Sequence, residues 1–173
     1  YKIKGAHYLI PIAKQFHHTN TPFHLHIFGD GPLSKQITTT IQQENLQKYI
    51  THHGAVDFRE QLVPFISKNI DIFLCPHLQG DPSCTHIETF ACGVPILGFD
   101  NEALVGILKA HPCGWATPVG NIDKIVAKLE LLRNEPSEIE RASKAALQFA
   151  SANTFEITFN NRTNKMIRLS KQQ

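Results

Sequence analysis

Ile70 to Phe99 reads IDIFLCPHLQGDPSCTHIETFACGVPILGF, and this stretch decides the fold. Ile70 to Cys75 is the most apolar segment of the chain and predicts a buried central strand. Pro76 to Gly80 forms the loop beyond its carboxyl end. A helix is expected from about Pro82 to Cys92, with Asp81 suited to the cap, Pro82 to the first helical position and Gly93 to the left-handed position after the end. Ile96 to Phe99 then reads as another strand. Strand, helix and strand in one short run make a parallel unit.

The alternation continues on both sides. Tyr8, Leu9, Ile12, Ala13 and Phe16 recur at helical spacing, and Asn20-Thr21-Pro22 ends that helix. Phe23 to Phe28 interleaves apolar residues with His24 and His26, as a strand does. Gly29-Asp30-Gly31-Pro32 breaks it and opens a helix carrying Leu33, Ile37 and Ile41. Ile50 to His53 is a short strand ended by Gly54, and Leu62 to Lys68 a helix that tolerates Pro64 only in its first turn.

Downstream, Glu102 to Lys109 predicts a helix and Trp115 to Thr117 a strand. The tail is helical in three pieces, with apolar faces at Ile122, Ile125, Val126, Leu129 and Leu132, then Ile139, Ala142, Ala146 and Phe149, then Phe155, Phe159, Met166 and Leu169. The fold class is α/β, a doubly wound, mainly parallel sheet with helices on both faces and a helical C-terminal tail. Such sheets bind ligands beyond the carboxyl ends of their strands, so the loops at Gly29, Gly54, Pro76 to Ser83 and Phe99 to Glu102 should share one rim.

Composition sets the outer limits. The chain has 173 residues, 42% hydrophobic and 18% charged, which is ordinary globular composition and enough for one core. A formal charge of +2 with dispersed Lys and Arg does not describe a nucleic-acid surface. No apolar run is long enough for a transmembrane helix. The chain opens on Tyr1 rather than Met, which leads us to expect that a segment precedes it. Cys75, Cys84, Cys92 and Cys113 form no CxxC pair, so reduced, buried thiols and a cytoplasmic location are expected. His17-His18, His24 with His26, and His52-His53 each lack a third ligand at usable spacing, and no metal is assigned.

The helix start at Pro82-Ser83-Cys84 presents backbone N–H groups and the positive end of its dipole to the rim, which suits a diphosphate, with Ser83 and Thr85 as hydroxyl donors. An ordinary capped helix accounts for the same residues. Glu88 shares a stripe with Cys84 and Cys92; a carboxylate there suits a ribose diol, and a solvated glutamate is equally economical. Gly29 to Pro32 is turn chemistry with at most weak phosphate character.

With these positions placed, the chain resembles the C-terminal domain of the retaining glycosyltransferases of family 4, built from two Rossmann-like halves (GT-B architecture). Lys4-Gly5 is similar to that family's KG motif and HIFGDGP to its strand-then-GDGP turn. HHGAV looks like its strand end before the base pocket, NIDIFLCP like AADVFVLPS, and IETFACGVPILG like LEAMACGVPVVA. CGWATPVGNIDKIVAKLELL follows TGLLVPPGDPEALAEAILRLL, and Asn153 to Glu156 looks like the FSWE that opens the last helix.

The resemblance implies transfer of a sugar, with retention, from a nucleoside diphosphate sugar to an acceptor glycan, lipid or small molecule held by an N-terminal domain. It implies that Lys4 neutralises the diphosphate, that Ser83, Cys84 and Thr85 cradle it, that Glu88 binds the ribose, and that Ala55 and Val56 flank the base. A cation and helix N–H groups are what a departing diphosphate needs, so no metal or other cofactor is expected. The chain as a whole, residues 1–173, is then one Rossmann-like donor domain whose first strand, with the family's arginine, lies upstream. Peripheral membrane contact of the full-length protein fits the same picture.

The pattern departs from the family at the sugar. The family's paired glutamates stand eight apart, and Gly80 occupies the first position, eight before Glu88. Its GGLPE reads Glu102-Ala103-Leu104-Val105-Gly106 here. Asp81, Asn101 and Glu102 are therefore candidates to hold the sugar, with Asp81 as a mere helix cap its rival. No catalytic residue is assigned. The competing functions are a degenerate domain that binds a nucleotide or partner without catalysis, and a sugar-nucleotide epimerase or phosphorylase of the same architecture, whose acid–base pair or cofactor lysine is not visible.

Overall fold

A computed structural model of the chain describes residues 2–80 and 83–171. Five strands alternate with helices: α1 (Leu9–His17), β1 (Leu25–Phe28), α2 (Ser34–Gln43), β2 (Ile50–Gly54), α3 (Val63–Asn69), β3 (Phe73–Cys75), α4 (Cys84–Ala91), β4 (Ile96–Phe99), α5 (Glu102–Leu108), β5 (Gly114–Thr117), α6 (Ile122–Asn134), α7 (Pro136–Ala152) and α8 (Phe155–Ser170). Among the described residues every strand pairing is parallel. The strands fall into two sheets, one of order β1-β2 and one of order β3-β4-β5.

Here the expectation for Ile70 to Cys75 needs correcting. The strand is confined to Phe73–Cys75 and, among the described residues, pairs with β4 alone, so β3 is an edge of its sheet. β4 holds the middle, and all four of its residues are buried. The pleat sends them to opposite faces: Leu97 and Phe99 pack with Ile12, Phe16, Ile125 and Val126 of α1 and α6, while Ile96 packs with Phe90, Leu104 and Ala146 of α4, α5 and α7. Burying each of these β4 side chains contributes about 1.5–3 kcal/mol.

α1 spans both sheets. Its Ile10 and Ala13 join Ile27, Ile37 and Ile41 under β1 and β2, and its Ile12 and Phe16 join Leu97 and Phe99 under β4. On the opposite face of β1 and β2, Phe65 of α3 meets the rings of His26, Phe28 and His53. Helices thus cover both faces, as a doubly wound fold requires.

Local chemistry sets most boundaries. Pro64 sits in the first turn of α3. α4 ends where Gly93 takes φ +75°, with Gly93 N–H donating to Phe90 O at 2.9 Å and Val94 N–H to Thr89 O at 3.2 Å, a Schellman ending. Ser143 Oγ then donates to Gly93 O at 2.6 Å and fixes α7 against that corner. α4 itself starts at Cys84 with Ser83 in the extended cap position, later than the Pro82 start expected from the sequence. Asp57 caps a π-helical turn over Phe58–Leu62 that the apolar periodicity did not announce. The three tail helices form as expected, yet Phe155, Phe159, Met166 and Leu169 of α8 stay exposed.

Candidate functional site

Four short segments carry the expected site residues: three meet at the loop leaving β3 or continue from it, and the fourth follows β2. The first is the 3-10 turn Lys2–Lys4 with Gly5. Gly5 is buried with φ +69°, and a β-carbon there would lie 1.7 Å from Pro76 O. Leu78 N–H donates to Ile3 O at 3.0 Å, so the segment is laid flush on the loop leaving β3. Only glycine permits that approach, which is the physical content of the Lys-Gly pair. Lys4 is half-buried, and its ammonium acts on the Cys75 thiol at the end of β3.

The second segment is the start of α4. Ser83 stands at the cap and makes no side-chain capping bond; Cys84 is exposed and Thr85 half-buried. The first-turn amides of a helix have no acceptor within it, so they and the helix dipole are available to an anion. Glu88 is exposed one turn further along the same helix.

The third segment joins β4 to α5. Asn101 is only 5% exposed, and both ends of its amide are engaged: Oδ1 accepts from Leu104 N–H at 3.0 Å and Nδ2 donates to His77 O at 3.2 Å. It therefore ties the start of α5 to the loop after β3. Glu102 beside it is exposed. Gly80 abuts it: a β-carbon on Gly80 would lie 3.1 Å from Glu102 Cβ. Asp81 lies outside the described residues.

Ala55 and Val56 form the fourth segment, between β2 and the π-helical turn, Ala55 exposed and Val56 half-buried. Gly29 N–H donates to Gly54 O at 2.7 Å and binds the ends of β1 and β2 together there. A groove of about 500 Å³ lies elsewhere, between α1 and α2, lined by Ile10, Lys14, Ile37 and Glu44 among others.

The thiols divide in two. Burial pushes Cys75 and Cys113 up to about 11, so both are neutral near pH 7. Cys84 is exposed and Cys92 half-buried, which corrects the expectation that all four are buried. The histidines of β1 and β2 form a ring cluster in which His26 Nδ1 and His53 Nε2 are 3.0 Å apart. Sequence reasoning did not find a different cluster, in which ligand atoms of Cys75, His77 and His86 all lie within 4.8 Å of one another. Its only sequence signal is Cys-Pro-His at the end of β3, with the third member on the next helix.

The fold is a Rossmann-like α/β domain shared with the solved structures of TarM and the GtfA/B complex. The chain belongs to the glycosyl transferases group 1 family, whose model matches residues 1–149. WcaL of Salmonella typhimurium, named for glycosyl transfer in colanic acid biosynthesis, is 25% identical over 132 residues, 73% of this chain and 32% of its own length. WcaL of Escherichia coli is 24% identical over the same share. The chain thus spans about a third of the length of these curated relatives. Among solved structures, the GtfA/B complex superposes with a TM-score of 0.82 at 20% identity, over 97% of this chain and 34% of that one. HepE of Anabaena in complex with UDP gives 0.78 at 16% identity, over 97% and 46%.

Proposed function

We propose that this chain is the donor-binding domain of a retaining glycosyltransferase, taking a nucleoside diphosphate sugar and presenting it to an acceptor held by a second, N-terminal domain. The observation that carries the reading is the contact of the Lys4-Gly5 turn with the loop that leads from β3 into α4. It brings a cation to the strand end from which the helix start also departs, the two groups a diphosphate leaving group requires. Lys4 and the amides of Ser83, Cys84 and Thr85 hold the diphosphate, Glu88 the ribose diol, and Ala55 and Val56 the base. No metal takes part in the transfer.

Glu102 holds the sugar. It fills the space that a side chain on residue 80 would enter, so the acid missing from Gly80 is supplied from the neighbouring loop. The match to about a third of the length of the curated relatives supports a larger enzyme. α1 packs into the cores of both sheets. The exposed apolar residues of α8 suit a contact with the acceptor domain. No helix among the described residues is long and apolar enough to cross a membrane. The acceptor is a glycan, lipid or small molecule reached through the second domain, on the cytoplasmic side.

Glu88→Ala tests the assignment. It should weaken UDP-type nucleotides and their sugar conjugates by the same factor, about 10- to 100-fold for loss of a charged hydrogen-bond acceptor. An effect confined to the sugar conjugate would remove Glu88 from the ribose.

A further inference from the structure

Outside the diphosphate-binding groups, Cys75, His77 and His86 form a compact set of soft and borderline donors. Cys75 ends β3, His77 follows in the loop, and His86 lies in the first turn of α4. The three are 0%, 9% and 3% exposed. Cys75 Sγ and His86 Nε2 are 3.4 Å apart, and the ligand atoms of the trio all fall within 4.8 Å.

Tetrahedral zinc with one thiolate and two imidazoles sets S···N edges of about 3.6 Å and N···N edges of about 3.4 Å. One edge of that tetrahedron is therefore already in place. The His77 ligand atom lies within 4.8 Å of both others, so the rest closes with a ring movement of roughly 1 Å, a small side-chain torsion change. The His77 backbone is held meanwhile by the Asn101 amide on its carbonyl.

We propose that Cys75, His77 and His86 form a zinc-binding site that clamps the β3–α4 loop to the first turn of α4. On binding, the Cys75 Sγ–H bond breaks, its proton goes to solvent, and the thiolate electron pair is donated to Zn²⁺; no oxidation state changes. The fourth position is left to water. The ion's three ligands are none of the groups assigned to the diphosphate or the sugar, so its role is to fix the loop. The set is a thiolate with two imidazoles, which selects zinc, or cobalt as its probe, over magnesium or calcium.

The test is a Co²⁺ titration of the chelator-treated 173-residue chain, followed by Zn²⁺ displacement. One Co²⁺ per chain with a thiolate-to-cobalt charge-transfer band is expected, displaced by one Zn²⁺. His77→Asn should weaken Co²⁺ binding at least tenfold, and Cys75→Ser should abolish the charge-transfer band. Cys84→Ser with Cys92→Ser should leave both unchanged. Equimolar Zn²⁺ should raise the melting temperature of the native chain and not that of His77→Asn, a comparison that holds even if Cys75→Ser fails to fold. Absence of the band in the native chain would overturn the site. So would a band lost only with Cys84 and Cys92, or undiminished affinity in His77→Asn, which would put the ion on other residues.

Discussion

Gly5→Ala is the most demanding perturbation of the rim, because three separate costs can be read from one contact. The backbone at Gly5 is left-handed at φ +69°, which costs an alanine about 1–2 kcal/mol. Its methyl would stand 1.7 Å from Pro76 O and 2.5 Å from Pro76 C, so the 3–5 segment and the loop after β3 must separate by about 1.5 Å, an overpacking cost of about 1–3 kcal/mol. That separation breaks the bond from Leu78 N–H to Ile3 O, worth about 1 kcal/mol. The sum is about 3–6 kcal/mol; at about 2–4 °C per kcal/mol for a chain of this size, the melting temperature should fall by roughly 6–24 °C. Circular-dichroism melts of the two chains read the global loss, and hydrogen exchange at the Leu78 amide reads the local one. Lys4 leaves its place with the turn, so nucleoside diphosphate affinity should fall as well. A Gly5→Ala chain that melts within about 2 °C of the native one and keeps its Leu78 amide protected would refute this reasoning.

Glu102→Ala should weaken a sugar nucleotide by about 10- to 100-fold while leaving the bare nucleoside diphosphate unchanged, the loss expected for a charged hydrogen bond. Calorimetry showing equal losses for both ligands would remove Glu102 from the sugar. Stability should also depend on pH through the β1–β2 histidines. Desolvation lowers His26 and His53 below the ordinary 6.5, with His24 adding repulsion to both. The unfolded chain therefore binds more protons in the window just below 6.5, so stability should be level above about pH 7.5 and decline as pH falls through that window. His53→Phe, which keeps a ring stacked 4.3 Å from Phe28, should flatten the decline; an unchanged slope in melts across pH 5 to 8 would contradict it.

Much of the fold was legible because its signals are local. The ending of α4 at Gly93, the first-turn place of Pro64 and the apolar runs of β4 and α6 each depend on a few neighbouring residues, and each formed as expected. The reading went astray where partners are distant. Apolarity marked Ile70 to Cys75 as central, but which strand is flanked on both sides depends on pairing, and β4 took that place. Asp81 and Pro82 looked like a helix cap and start, whereas the extended cap backbone falls on Ser83. The Asn101 amide bonds across to His77, which no spacing rule reports. The same holds for Gly80 against Glu102 and for Cys75 with His77 and His86, where chain reversals bring together residues that share no periodicity.

The central claim is that this rim binds the nucleoside diphosphate part of a sugar donor. Calorimetric titration of the chain with UDP, GDP and ADP addresses it most directly. Saturable binding of one of the three, at one site per chain and weakened by Glu88→Ala, is the predicted result; no binding of any of the three would contradict it.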